Sequence, residues 1–237
     1  MHFVCEFELR GNDFDSNGKL LPSAILDMFQ EAAGRHAEML GCGFDKFSDK
    51  GLLWVIVRSK FEVVKNPEMH STVLVKTWPL PPAKFSFRRD YLMTNKKGEI
   101  LIKATADWMI IDSNTRSFAK ADKVYPEGEE FITDFALDEK LKKLHFSGVE
   151  TKSYVVTPSY CDIDRNCHVN NTKYPEYILN ALDVEGLTVK SFQIDHHKEV
   201  LKGQKLKISI ANDQGVFLAL GTNHNDEVMF ISKLETE

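Results

Sequence analysis

Residues 162–171 read Asp-Ile-Asp-Arg-Asn-Cys-His-Val-Asn-Asn (DIDRNCHVNN), and this stretch decides how the rest of the chain is read. Asp164, Asn166 and His168 alternate at i, i+2 and i+4. In an extended run they share one face, with Cys167 pointing to the other as a packing residue. A carboxylate, a carboxamide and an imidazole side by side can take up a proton, donate to an oxyanion and orient water. The competing reading is structural. Asp and Asn favour turns and helix N-caps, and a helix-like run follows Asn170 and Asn171.

Outward from this stretch, the chain divides into two similar halves. In the second, a strand over 152–158 leads into the polar run. A helix over about 172–183 with Pro175 near its start follows, then strands over 189–197, 204–212, 215–222 and 227–234. In the first, MHFVCEFELR alternates like a strand. Ile25, Met28, Phe29, Ala32, His36 and Met39 recur at helical spacing within 20–41, between Pro22-Ser23 and Gly41. Strands over 52–64, 71–79, 84–94 and 99–111 follow, with short turns that imply antiparallel pairing. Between the halves, 121–149 is charged and reads as a linker, helical near Asp138 to Leu144. Asp15 and Asn17 precede Asp164 and Asn166 by 149 positions, and Lys19 stands where the second half has His168. One chemically equipped copy and one copy free to shape a pocket is the expected outcome.

Composition narrows the classes. Apolar residues make up 43% and there are sixteen phenylalanines, enough for a large strand-rich core. The formal net charge of -5 speaks against wholesale nucleic-acid binding. No apolar run approaches the ~20 residues of a membrane span, and the N-terminus lacks a signal-peptide pattern. Cys5, Cys42, Cys161 and Cys167 form no CxxC pair, so free thiols in a reducing cytoplasm are expected. With His168, His196 and His197 they match no common zinc spacing, so neither metal nor cofactor is expected. Of His196 and His197, one should lie in the core and one in solvent. Trp54 and Trp108 read as core.

The run DIDRNCHVNNTKYPEY resembles the DxNxHVNNxxY signature of plant and bacterial acyl-acyl carrier protein (acyl-ACP) thioesterases. Ile194 to Glu199 (IDHHKE) resembles the segment that carries the family's active-site glutamate. Thr77-Trp78-Pro79, Arg88-Arg89-Asp90, Trp108, Asp112 and Thr115-Arg116 resemble further landmarks in the family's order. The resemblance implies an α+β fold of two tandem hotdog units, each a long helix packed in a curved antiparallel sheet. The units would span 1–125 (acyl pocket) and 150–237 (catalytic residues), with 126–149 between them. It implies hydrolysis of the thioester joining a fatty acyl chain to the phosphopantetheine of acyl carrier protein. Carried over by position, the catalytic set is Asp164, Asn166, His168 and Glu199.

His168 would move the proton, and Asn166 would donate to the oxyanion. Asp164 and Glu199 leave open direct attack by Asp164 or activation of water. Val200 stands where many relatives carry a cysteine, which argues against a thiol nucleophile. The family's plant members begin with a transit peptide that this chain lacks, which suits a bacterial cytoplasmic protein.

The acyl chain is expected between the first helix and its sheet, near Ile25, Met28, Phe29 and Trp54. An acidic carrier protein calls for a basic docking patch. The candidates are Arg88-Arg89, Lys96-Lys97, Lys140 with Lys142 and Lys143, and Lys202 with Lys205 and Lys207. Exposed sheet edges are compatible with a homodimer. The rival readings are an acyl-CoA thioesterase or a hydratase on the same scaffold, and a non-catalytic acyl-sensing module.

Overall fold

The computed structural model describes residues 2–119, 124–128, 130–183 and 186–237. One antiparallel sheet of ten strands runs through it, in the order β1-β3-β4-β5-β2-β7-β10-β9-β8-β6. The first half supplies β1 (Phe3–Glu8), β2 (Leu52–Val63), β3 (Thr72–Pro79), β4 (Phe87–Asn95) and β5 (Ile100–Asp112). The second supplies β6 (Lys152–Val156), β7 (Val189–His196), β8 (Leu206–Asp213), β9 (Val216–Thr222) and β10 (Val228–Thr236). Each half also carries one main helix, α1 (Pro22–Met39) or α3 (Tyr174–Leu182), and α2 (Phe44–Ser48) follows α1. This is the tandem-hotdog α+β architecture.

α1 buries the stripe Ile25, Met28, Phe29, Ala32 and His36. Pro22 at its start has no N–H to leave unpaired. Gly41 ends it at φ 72, with the N–H groups of Gly41 and Cys42 returning to Glu38 O and Ala37 O. Met39 does not join the stripe: it is 66% exposed, because the helix is unwinding into that turn. Strand bounds fall within three residues of the sequence reading, since the turn residues punctuate them.

The halves meet where β2 pairs with β7, in register from Arg58↔Asp195 to Glu62↔Ser191. Phe61 and Phe192, at most 1% exposed, stack across this seam. Arg58 grips Asp195 through two hydrogen bonds of 2.6 and 2.8 Å. A buried pair with such geometry fixes register more than it adds stability.

The expected helix near 138–144 does not form. That segment is irregular, and its neighbours are pinned to the sheet by single backbone contacts. Leu144 N–H donates to Asp195 Oδ2 (2.9 Å), and Lys142 O accepts from Gln193 Nε2 (2.8 Å). Ala136 N–H donates to Asp90 Oδ2 (2.7 Å), and Trp78 Nε1 donates to Asp134 O (3.0 Å). Satisfying the buried carboxylates of Asp90 and Asp195 requires free backbone N–H groups, which a helix would have consumed. The Arg88-Arg89 cluster is also tied down. Arg88 pairs with Asp90, and buried Arg89 donates to His36 Nδ1 (3.0 Å), so neither forms a surface patch.

Candidate active site

Residues 164–167 form a tight turn instead of the extended run read from the sequence. Asp164 and His168 close it, with Asp164 N–H donating to His168 O at 2.8 Å and Cys167 N–H to Asp164 O at 3.1 Å. The Asp164 carboxylate organises the turn from within. Its Oδ1 accepts the N–H groups of Asn166 (2.8 Å) and His168 (3.3 Å), and its Oδ2 lies 3.4 Å from Asn166 Nδ2. This is the Asx-turn chemistry that competes with strand formation for Asp and Asn. Cys167 takes a left-handed φ of 65 and is exposed, so it is not a packing residue.

The turn is anchored where Val169 N–H donates to Val200 O (2.8 Å) and His168 bridges to Leu201. That anchoring brings the segment after β7 alongside the motif. Glu199, remote in sequence, thereby meets His168: Nε2 to Oε2 is 3.1 Å. Arg116, from the loop after β5, pairs with the same carboxylate oxygen and lies 3.3 Å from His168 Nε2. The His168 ring is largely buried, and its pKa is lowered from 6.5 by that burial and by the Arg116 charge, with Asp164 opposing. The ring is therefore neutral at pH 7, able to accept a proton.

Asp164 and Asn166 lie in the wall of a cavity of 460 Å³. Its far wall is apolar and aromatic and belongs to the first half: Trp54, Phe87, Trp108 and Tyr125. α1 contributes Ala33, Gly34 and Ala37, whose small side chains leave the space open. Of the expected pocket residues, Trp54 lines this cavity. Ile25 and Met28 do not, because they occupy the opposite face of α1, and Phe29 lines a smaller neighbouring cavity with Trp108 and His196. Arg165 reaches across the mouth to α2, 2.7 Å from Asp45 and stacked 3.5 Å over Phe44.

Sequence reasoning missed Arg165 and gave Arg116 no role beyond a landmark. The signal was available for Arg116 alone, in the Asp112-to-Arg116 loop placed just after a strand. As expected, the His196 ring is held inside, against Tyr174, while His197 is exposed.

Two family models match the chain in tandem. A model of the acyl-ACP thioesterase N-terminal domain matches residues 1–127, and one of the C-terminal domain matches 148–233. The chain belongs to the acyl-ACP thioesterase family. A palmitoyl-acyl carrier protein thioesterase of Gossypium hirsutum is 34% identical over 76% of this chain and 46% of its own length. A dodecanoyl-[acyl-carrier-protein] hydrolase of Cinnamomum camphora is 33% identical over 74% of this chain and 50% of its own length. The chain spans about half the length of the curated relatives it matches. In fold, the 12:0-ACP thioesterase of Umbellularia californica superposes with a TM-score of 0.88 at 24% identity, covering 100% of this chain and 97% of that one. An acyl-ACP thioesterase from Bacteroides thetaiotaomicron gives 0.85 at 23% identity, covering 100% and 98%. Within the family fold, the aromatic wall of the cavity and the polar turn come from opposite halves of the chain.

Proposed function

We propose that this chain hydrolyses fatty acyl thioesters of acyl carrier protein, releasing free fatty acid. One observation carries this reading: His168 stands 3.1 Å from Glu199, on a turn whose Asp164 and Asn166 line a 460 Å³ cavity with an aromatic wall. A neutral imidazole with a carboxylate partner can draw a proton from water as it attacks the thioester carbonyl. Asn166 is the side-chain donor at the cavity wall. An oxyanion donor of this kind contributes about 3 kcal/mol to the transition state. The protonated His168 then returns the proton to the departing thiolate.

Asp164 Oδ1 is engaged by two backbone N–H groups, which favours a turn-holding role and water as the nucleophile. Direct attack by Asp164 would leave oxygen-18 in its carboxylate after a single turnover in labelled water. The acyl chain would run along Ala33 and Ala37 toward Trp54 and Phe87. In this reading 1–125 would be the pocket unit and 150–237 the catalytic unit, around the connector 126–149, and the aromatic wall from the first half supports it.

For the carrier protein, the cluster Lys202, Lys205 and Lys207 is exposed on the segment that follows Glu199. It is the docking patch we favour, and charge reversal there should slow association. The open edges β1 and β6 would serve a homodimer, which sedimentation tests. No helix among the described residues is long and apolar enough to cross a membrane. Two buried and two exposed free cysteines suit a reducing compartment, and we assign the bacterial cytoplasm.

The deciding experiment is thiol release from a panel of acyl-ACP and acyl-CoA thioesters by wild type and His168→Ala. Release from carrier thioesters that disappears in the variant supports the reading. Thiol release only from acyl-CoA would replace the carrier by coenzyme A. Binding of acyl chains without thiol release would make the chain a sensor.

A further inference from the structure

We infer that Arg116 is a positioning residue that clamps the Glu199 carboxylate against the His168 ring. The inference rests on the hydrolase reading for its purpose, but not for its test. Arg116 pairs with Glu199 Oε2, the same oxygen that lies 3.1 Å from His168 Nε2. One guanidinium nitrogen therefore touches both groups, holding the carboxylate oxygen while lying 3.3 Å from His168 Nε2.

The loop that presents Arg116 is built for a fixed position. Asp112, the last residue of β5, accepts at Oδ1 from Asn114 N–H (2.9 Å), Thr115 N–H (2.8 Å) and Thr115 Oγ1 (3.1 Å). Its backbone closes the loop, with Arg116 N–H donating to Asp112 O and Asp112 N–H to Ser117 O, both at 2.9 Å. Inside this loop Arg116 adopts a φ of 57. The left-handed region is unfavourable for a long side chain and persists where surrounding contacts over-determine it.

Three charged groups act on His168: Arg116 from the β5 loop, Glu199 from the segment after β7, and Asp164 from its own turn. The carboxylates favour the imidazolium and Arg116 opposes it. Removing Arg116 leaves Glu199 free to stabilise the protonated ring, so the ring should titrate at higher pH. It also frees the carboxylate to leave its place, and misplacement of this order costs about 100-fold in rate.

The test uses Arg116→Gln and Arg116→Lys with two readouts. The first is a nitrogen-15 NMR titration of the His168 ring, which needs no substrate. The second is the pH profile of kcat/KM on acyl-ACP. In Arg116→Gln the ring and the acid limb of the profile should both move to higher pH, and kcat should fall about 100-fold. Arg116→Lys should restore the titration while recovering only part of kcat, since an ammonium lacks the planar fork. If the ring in a folded Arg116→Gln protein titrates as in wild type, the clamp is overturned whatever happens to the rate. If Arg116→Lys fails to restore the titration, the charge is not the cause and the clamp falls likewise. A ring that moves as expected in a protein that cleaves no thioester upholds the clamp and removes only the hydrolase reading.

Discussion

The turn of the first half and the turn of the second are the same object with different chemistry mounted on it. At 149 positions' separation, Asp15 repeats Asp164: its Oδ1 accepts the N–H groups of Asn17 (2.8 Å) and Lys19 (2.9 Å). Asp15 N–H donates to Lys19 O as Asp164 N–H does to His168 O. The bridges Phe14↔Leu20 and Ile163↔Val169 correspond, and so do the short 3-10 turns Gly11–Asp13 and Tyr160–Asp162. Each turn also borders a cleft that both halves line, of 430 Å³ at the first turn and 460 Å³ at the second.

What differs is the set of groups around the residues that close each turn. Leu20 N–H is received by the Asn66 side chain, where Val169 N–H is received by the Val200 backbone. In the second half this leaves the neighbouring Glu199 side chain free for His168. The DxN pattern is thus scaffold. At the second turn an imidazole and a carboxylate meet, His168 and the Glu199 of the segment after β7.

The comparison is easiest to break at its most unequal position. His168→Ala should lower thioester hydrolysis by about 10²- to 10⁴-fold, and Lys19→Ala should leave it within about twofold. Equal losses in the two variants, measured as thiol release, would mean that the first turn also takes part in the chemistry.

Each half also buries one histidine, and acid should expose them together. His36 is lowered to about 4 by burial, then by Arg89, the N-terminus and His2. His196 is lowered to about 4 chiefly by burial. Both native values lie below the unfolded 6.5, so the unfolded chain binds more protons between pH 6.5 and pH 4. Stability present above pH 6.5 is lost as pH falls through that window, by about 3 kcal/mol per histidine. Denaturant midpoints at pH 7 and pH 4.5 measure it. His36→Gln and His196→Gln should each flatten part of the slope, and a slope unchanged in both would remove the assignment.

Asp15→Ala and Asp164→Ala each strip two backbone N–H groups of their acceptor, so each should cost about 1–2 kcal/mol in stability. Hydrolysis should suffer only in the second. The smallest effect sharpens the backbone side of the comparison. The left-handed position is Gly18 (φ 70) in one turn and Cys167 (φ 65) in the other. Cys167→Gly should raise the unfolding midpoint by the equivalent of about 1 kcal/mol, and Gly18→Ala should lower it by a similar amount.

Much of this was legible in the sequence because it rests on local signals. The α1 stripe, the strands between Gly, Pro and Asn turns, and the 149-residue echo are all short-range patterns. The pairing of His168 with Glu199 was reached through family resemblance, since no spacing rule connects a turn to a strand end across the sheet. Two errors share one cause. The motif was read as extended, and 138–144 as helix, without asking where side-chain carboxylates would find donors. Asp164 claims the N–H groups of its own turn, and Asp90 and Asp195 claim those of the connector. Arg88 and Arg89 were read as surface charge for the same reason. Their partners lie on other strands and on α1.

The β2–β7 seam has a consequence for how the chain can be divided. A fragment ending before β7 would present β2 as a bare, twelve-residue edge with Arg58 deprived of Asp195. The complementary fragment would carry the buried Asp195 carboxylate without its guanidinium partner. Either piece alone would offer other chains a sticky strand, so evolution could fuse the two copies but could not readily part them again.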